Sequence, residues 1–271
     1  MAHRIGIVGG PNTGKSFSRR NLKNGSEAFV LSPSQKVLHL YDKDGDPVKR
    51  LNVSTQKSPS MEALLEAMKV SNRHSVVLNL MRKNVPAKYT GHWEVVHKIN
   101  YLKDYMDMVD RHMPHIKYLF LPDFTHYISR IVASKEFMDR NSGGQAFARF
   151  WDLAADALNS FFIHSDTLRE DLFVITEFHS EYNQEAEEYK IFIPSGKMLG
   201  EKFLPDSYFD IMLYTHIEKD EQGEVTPDSY KFVTRRWGKY NARSMDIFED
   251  KLIPNDMQLV LDTTKKALGI T

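Results

Sequence analysis

The sequence contains no cysteine and no long apolar run. Without cysteine the chain has no disulfide framework, no thiolate zinc site and no cysteine nucleophile. Its apolar runs, such as Tyr118–Leu121, are far short of the ~20 residues that a membrane-spanning helix needs. The N-terminus also lacks the charged, apolar and cleavage regions of a signal peptide. These absences predict a soluble, cytoplasmic protein with no membrane partner.

An excess of one charge is also missing, because 36 Lys and Arg balance 36 Asp and Glu among 271 residues. Zero net charge argues against a histone-like protein that coats nucleic acid by bulk electrostatics, although it permits a local basic groove. A hydrophobic content of 41% is enough for a full core. We expect a single domain over residues 1–271, since no repeat or clear linker divides the chain.

Apolar strand patterns alternate with helical patterns, which indicates an α/β sheet with helices on both faces. The strand patterns lie at 4–8, 27–31, 74–81, 116–121 and 172–176. The helical patterns lie at 15–22, after Ser58, and at 90–112, 124–139, 144–165 and 255–271. Hairpins are predicted around the Asp44–Gly45 turn and from 210–217 with 229–234. The polar stretch 177–190 has no apolar periodicity and predicts a mobile loop.

The strongest motif runs from Gly9 to Ser16 and reads GGPNTGKS. It satisfies G-x-x-x-x-G-K-[ST] and lies between an apolar strand and a helix, as a phosphate-binding loop requires. Gly9 and Gly14 let successive backbone N–H groups point inward as an anion nest. Lys15 can reach the β- and γ-phosphates, and the Ser16 hydroxyl can bind Mg²⁺. The predicted nucleotide-binding residues are Gly9, Gly10, Pro11, Asn12, Thr13, Gly14, Lys15, Ser16 and Phe17.

A second acidic group is needed near the Mg²⁺, and Asp123 follows an apolar strand pattern as such a group does. In the alternative interpretation Pro122 ends strand pairing and Asp123 caps the next helix. Pro122 shifts the carboxylate by one position, which weakens Mg²⁺ coordination unless a bulge restores it. The eleven histidines show no H-E-x-x-H motif and no His–acid spacing that suggests zinc. The sequence therefore predicts one metal ion, Mg²⁺, held by Ser16 and Asp123.

Further segments occur in an order that resembles a known family. They read LPDFTHYI at 121–128, DLFVITEFHSE at 171–181, GKMLGEKF at 196–203, IMLYTHIE at 211–218 and ARSMDIFEDKLIPNDM at 242–257. With the phosphate loop they resemble the phage-encoded AAA/RecA-like P-loop ATPases, a family of phage nucleotide-binding and recombination proteins. The resemblance extends from residue 4 to about 257, and residues 32–72 match poorly, as an insertion would.

The resemblance implies an α/β RecA-like P-loop core, with a mostly parallel sheet flanked by helices and a C-terminal β-hairpin. It implies an oligomeric ATPase that uses ATP and Mg²⁺. Its expected partner is single-stranded DNA, met directly or through a single-strand-binding or annealing protein. The family commonly has two adjacent acids where this sequence has Pro122–Asp123. One of the metal-holding and water-activating acids is therefore missing, which affects fast hydrolysis more than binding.

The end of the 172–176 strand pattern matches the position of a γ-phosphate sensor in RecA-like proteins. There His179 can donate a hydrogen bond to the phosphate, and Glu177 can orient the attacking water. The alternative is a strand end that becomes a solvated loop. The following segment, 182–193, lies where RecA-like proteins place a DNA-contacting loop. Its glutamates repel DNA phosphates, so this loop alone is not expected to bind DNA.

Four cations are candidates to enter a neighbouring subunit's site and stabilise transition-state charge. They are Lys197, Lys202, Arg235 and Arg236. Lys197 and Lys202 also fit the outside of a short helix. The stretch RRWGKY at 235–240 is the best nucleic-acid patch, because its cations lie beside rings that can stack on bases. It fits the end of an exposed hairpin equally well.

Two functions follow from these observations. The first is a Mg-ATP-dependent ATPase that acts on single-stranded DNA, or on a DNA-binding partner, in phage recombination or replication. The second is a nucleotide-gated interaction protein with little or no hydrolysis, which Pro122 and the acidic loop favour. A kinase is a weaker third hypothesis. Kinases need an Arg-rich lid, and the arginine pairs at 19–20 and 235–236 do not lie in lid-like segments.

Overall fold

The computed structural model describes residues 1–32, 40–41, 43–45, 50–53, 75–78, 92–132, 145–194 and 197–270. Its strands are β1 His3–Val8, β2 Ala28–Ser32, β3 Arg50–Val53, β4 Ser75–Leu78, β5 Tyr118–Leu121, β6 Phe173–Phe178, β7 Ser180–Asn183, β8 Glu188–Ile191, β9 Ile211–Ile217, β10 Tyr230–Val233 and β11 Leu252–Pro254. Its α-helices are α1 His92–His112, α2 Phe124–Val132, α3 Gln145–His164, α4 Lys197–Gly200 and α5 Met257–Leu268.

One sheet organises the molecule, with the strand order β11-β10-β9-β1-β6-β5-β2-β4-β3. The strands from β9 to β3 in this order are parallel. At the other edge β10 is antiparallel to both β9 and β11. The predicted α/β fold, a RecA-like P-loop core with a mostly parallel sheet and a C-terminal hairpin, is confirmed.

Both faces of the sheet are buried, because successive side chains of a strand point to opposite sides. In β5, Leu119 and Leu121 belong to a core that also contains residues of α1, α2 and α3. Tyr118 and Phe120 belong to a second core that contains Val260 and Leu261 of α5. Covering on both faces is typical of parallel strands and explains why β5 is continuously apolar.

The mobile loop predicted at 177–190 is wrong. Strand β6 continues to Phe178, and β7 and β8 then pair as an antiparallel hairpin. The hairpin is anchored by distant residues, since Tyr189 N–H donates to the Lys239 carbonyl at 2.7 Å and its ring stacks on Tyr240. Tertiary contacts thus replace the apolar periodicity that the segment lacks.

The remaining differences are local. The helix predicted at 15–22 is a short 3-10 helix, Ser16–Asn21. Strand β3 pairs in parallel with β4 instead of forming the second arm of a hairpin, and residues 37–39 of the first arm lie outside the described residues. The helix after Ser58 and residues 133–139 also lie outside them. Among the described helices, none has the length and apolarity needed to cross a membrane.

Candidate functional site

The candidate site lies at the carboxyl ends of β1, β5 and β6, which meet at one edge of the parallel sheet. Ligands of open α/β sheets bind outside this edge. A cavity of about 530 Å³ opens there. It is lined by Pro11, Asn12, Thr13, Gly14, Lys15, Ser16, Phe17, Asp123, His179 and Tyr230. The predicted phosphate loop therefore shares a cavity with Asp123 and His179.

Two glycines of the loop are fixed by their surroundings. A Cβ on Gly9 would lie 1.8 Å from Oγ1 of Thr215, which donates a hydrogen bond to Thr13 Oγ1 at 2.6 Å. Gly14 has φ +97° and lies against Tyr230, so a side chain there meets both backbone strain and a ring. The loop is thereby held against β9 and β10.

Lys15 is buried, and its ammonium group is turned onto the loop itself. Its Nζ donates to the carbonyl oxygens of Gly9 and Gly10 at 2.7 and 2.6 Å. These two oxygens occupy the role that phosphate oxygens take in a nucleotide-bound loop. The lysine is thus positioned at the loop, and a bound phosphate competes with its present acceptors.

Ser16 is linked to the buried end of β6. Its hydroxyl donates to Oε2 of Glu177 at 3.0 Å, and Nη2 of Arg19 lies 3.6 Å from Oε1 of the same carboxylate. Glu177 is 0% exposed and Arg19 is 2% exposed. The predicted water-orienting residue therefore lies behind Ser16 and positions its hydroxyl. Its catalytic role stays a prediction.

Asp123 reaches the cavity through an unusual backbone turn. Its φ is +54°, a left-handed conformation that Asp adopts more readily than most residues, and it is 3% exposed. Its carbonyl accepts the N–H of His126 at 2.7 Å, which starts α2. The turn offsets the one-position shift caused by Pro122 and brings the carboxylate to the phosphate loop.

His126 is a site residue that the sequence reasoning missed. Ligand atoms of Asp123, His126 and His179 all lie within 4.8 Å of one another, with 3.8 Å between Nε2 of His179 and Oδ1 of Asp123. The backbone N–H of His179 donates to Thr125 Oγ1 at 3.0 Å, which ties β6 to α2. The spacing Asp-x-x-His was visible in the sequence, but the second histidine comes from another strand.

The outer rim of the cavity carries two rings, of which only Phe17 was predicted. The rings of Phe17 and Tyr230 lie 5.6 Å apart. The guanidinium of Arg20 lies 3.8 Å from the centre of the Phe17 ring and donates to the Asn255 carbonyl at 2.9 Å. This rim offers flat apolar surface beside the phosphate loop.

The four predicted trans-acting cations have different environments. Lys202 is ion-paired with Asp152, and Arg235 donates to the carbonyls of Phe248 and Glu249. Arg236 is 77% exposed, with Nη2 3.9 Å from a carboxylate oxygen of Glu188. Lys197 begins α4, but its side chain lies outside the described residues. Arg236 is therefore the most accessible of the three described guanidinium and ammonium groups.

The patch at 235–240 joins the β7–β8 hairpin in an aromatic row, which we define as Tyr182, Tyr189, Tyr240 and Trp237. Neighbouring rings of the row lie 5.3, 5.4 and 6.1 Å apart. Lys239 lies 5.0 Å from the centre of the Tyr189 ring. Next to the row, His216 hydrogen-bonds to the Tyr240 hydroxyl at 2.9 Å, and burial lowers the pKa of His216. Burial raises the pKa of the Tyr240 hydroxyl.

Comparisons with known proteins give no match to a family model and none to a curated protein. Among solved structures the chain is similar to an isolated ATPase domain, with 12% identity, a TM-score of 0.42, and coverage of 90% of this chain and 78% of that one. It is also similar to a DnaB-like replicative helicase solved with attention to its interactions with primase, with 12% identity and a TM-score of 0.42. The match covers 90% of this chain and 52% of the helicase, about half of its length. Both likenesses concern the overall fold.

Proposed function

We propose that this protein is a P-loop ATPase that couples Mg-ATP binding and hydrolysis to single-stranded DNA, or to a DNA-binding partner, in phage recombination or replication. One observation supports it above the others. The loop from Gly9 to Phe17 shares a cavity with Asp123 and His179, which come from two other strands of the sheet. A chance glycine-rich turn would not gather an acid and a hydrogen-bond donor at its phosphate-facing side.

The site fits Mg²⁺, which prefers oxygen ligands. The Ser16 hydroxyl and the Asp123 carboxylate are the oxygen donors of this chain, and both line the cavity. Bound there, Mg²⁺ neutralises charge on the phosphates. Glu177 assists by accepting the Ser16 hydroxyl proton in a hydrogen bond, which leaves an oxygen lone pair available on the cavity side.

The other residues of the site act on the phosphates. Backbone N–H groups of the loop bind phosphate oxygens, and Lys15 exchanges the Gly9 and Gly10 carbonyls for the γ-phosphate. His179 lies at the cavity beside Asp123 and donates to a terminal phosphate oxygen. These positive and polar groups stabilise the charge that develops when water attacks.

The aromatic row is the surface that we propose for single-stranded DNA. Bases stack on exposed rings, and neighbouring cations attract the phosphate backbone. Tyr182 is 49% exposed, and Arg236 and Lys239 lie at the same surface. Glu188 is ion-paired with Arg236 and Glu181 with Lys190, which moderates the acidic character of the hairpin. In a homo-oligomer Arg236 is also our preferred trans-acting cation.

The second candidate is a nucleotide-gated interaction protein with little hydrolysis. It is favoured by Pro122, which takes the place of an acid beside Asp123, and by Glu177, which is buried behind Ser16. With both acids removed from the attacking water, binding would exceed turnover. ATP would then act by selecting the state that binds a partner.

The deciding experiment is Mg²⁺-dependent ATP hydrolysis by the full chain, measured with and without single-stranded DNA. We expect hydrolysis that DNA stimulates and that Lys15→Ala abolishes. The matched control is Lys219→Ala, which removes an exposed lysine outside the cavity. ATP binding without hydrolysis selects the second candidate. Unchanged hydrolysis in Lys15→Ala overturns the site.

A further inference from the structure

Two imidazoles and one carboxylate converge beside the phosphate loop. Their ligand atoms, from Asp123, His126 and His179, lie within 4.8 Å of one another. We propose that these three side chains bind a divalent transition-metal ion of the Zn²⁺ class. The site goes beyond the proposed nucleotide chemistry, because its donors come entirely from the protein and do not include the loop.

The donor chemistry separates this site from a Mg²⁺ site. Imidazole nitrogen suits Zn²⁺ and its first-row neighbours, whereas Mg²⁺ takes oxygen ligands in a strict octahedron. Two of the three donor groups are imidazoles, so the set favours the softer ions. Only Asp123 is common to this site and to the proposed Mg²⁺ ligands.

The geometry needs a small closure. Ligands at ~2.0–2.2 Å from one Zn²⁺ lie ~3–3.5 Å from each other. Nε2 of His179 is 3.8 Å from Oδ1 of Asp123, so this pair has only a few tenths of an ångström to close. His126 is exposed on the first turn of α2, where its ring can rotate without displacing core atoms. Side-chain rotation alone can therefore complete the ligand set.

The backbone holds the three positions together. Asp123 and His126 are joined by a turn hydrogen bond of 2.7 Å between the Asp123 carbonyl and the His126 N–H. The His179 N–H donates to Thr125 Oγ1, which fixes the end of β6 against α2. Positions supported in this way are what a precise metal site requires.

The placement also indicates a function for the ion. Three protein ligands leave a coordination position open, as in catalytic zinc sites. Asp123 and His179 line the nucleotide cavity, and His126 is not among its lining residues, which places the ion at the cavity edge. The open position therefore faces the space next to Ser16, where a phosphate oxygen or a water molecule can bind.

The test is a titration of the full, chelator-treated chain with Co²⁺, in excess Mg²⁺ and without nucleotide. We expect visible absorption typical of a four- or five-coordinate Co²⁺ ion, saturation at one ion per chain, and displacement by Zn²⁺. Absorption no stronger than that of free hydrated Co²⁺, or displacement by Mg²⁺ as readily as by Zn²⁺, would overturn the proposal.

Variants locate the ion. Loss of a ligand should weaken binding by about 100-fold or more, since even supporting residues contribute 10–100-fold. We expect this loss for His126→Ala and for His179→Ala. His126 is exposed, so its variant stays folded even if the His179 variant does not, and circular dichroism checks both. The matched control is His112→Ala, at the exposed end of α1, which leads to the opposite edge of the sheet. Unchanged Co²⁺ affinity in His126→Ala contradicts the assignment.

The metal site and the nucleotide site can fail separately. Lys15→Ala should lose ATP binding and keep Co²⁺ binding, because Lys15 is not a ligand. His126→Ala should show the reverse in Mg²⁺-ATP. A chain that binds ATP and no Co²⁺ disproves only the metal site, and one that binds Co²⁺ and no ATP disproves only the proposed function.

Discussion

The hydroxyl of Ser16 donates a 3.0 Å hydrogen bond to Oε2 of Glu177, which joins the phosphate loop to the buried end of β6. The same carboxylate faces Arg19 of the 3-10 helix that follows the loop. Arg19 in turn donates from Nε to the Ser16 carbonyl at 3.2 Å. The loop, the 3-10 helix and β6 are therefore held by one small polar network.

Removing Glu177 should destabilise the fold. Glu177→Ala leaves the buried Arg19 guanidinium without its carboxylate, which costs ~3–5 kcal/mol of unfolding free energy. Urea denaturation followed by circular dichroism measures the loss. As a control, replacing both partners with apolar residues in Arg19→Met with Glu177→Leu should recover much of the stability. A single variant as stable as the wild type would show that the pair is not structural.

Adjacent glycines of the loop should tolerate alanine very differently. A Cβ on Gly9 would lie 1.8 Å from Thr215 Oγ1, whereas one on Gly10 would meet only the Thr13 methyl at 3.5 Å. Gly9→Ala must displace the loop, at ~1–3 kcal/mol of stability, and should abolish nucleotide binding. Gly10→Ala should bind nearly as the wild type does. Isothermal titration with ATP compares the two, and equal affinities would contradict the loop geometry.

Asp123→Asn should weaken Mg²⁺-dependent nucleotide binding while leaving the fold intact. Asn tolerates the left-handed backbone at φ +54° as Asp does, so the substitution removes charge without adding strain. We expect ATP affinity that no longer rises when Mg²⁺ is added. The measurement is ATP titration with Mg²⁺ and with chelator. A full Mg²⁺ effect in the variant would show that another group holds the ion.

The stability of the fold should decrease as the pH falls through the range of histidine. Burial lowers the pKa of His216 in the native state below its usual 6.5, with Lys239 lowering it further and Glu218 opposing. The unfolded chain then binds the proton first, so the contribution of His216 is complete above pH ~6.5 and is lost below it. Urea titrations between about pH 7 and 5.5 should give a shallower slope for His216→Gln. An identical slope would refute this contribution.

The aromatic row should contribute to single-stranded DNA affinity through its exposed end. Tyr182→Ala removes a ring that is 49% exposed and should cost ~1–3 kcal/mol of binding, the range for one stacked base. Fluorescence anisotropy with labelled oligonucleotide measures it at fixed salt. Tyr41→Ala, at another exposed tyrosine outside the row, is the control. Equal losses in both variants would remove the row from the interface.

The phosphate loop was predictable because its residues are consecutive, so chain spacing alone defines the chemistry. The β7–β8 hairpin was not, since Tyr189 is held by Tyr240, which lies far along the chain. The pairing of His126 with His179 has the same origin, because only the sheet brings α2 to the end of β6. Pro122 indicated a shifted acid, and only the backbone at Asp123 revealed the turn that restores its place. Local patterns thus specified elements, and the partners between elements required the fold.

The position of β1 in the sheet determines when the site can assemble during synthesis. Its neighbours are β6 and β9, with Ile5 paired to Ile175 on one side and to Ile211 on the other. Roughly 165 residues separate the end of β1 from the start of β6. At ~5–20 residues per second, a ribosome needs ~10–30 s to produce that length. The phosphate loop is therefore among the first segments made and among the last to take its working shape, so a nascent chain remains unable to hold nucleotide until most of it has been translated.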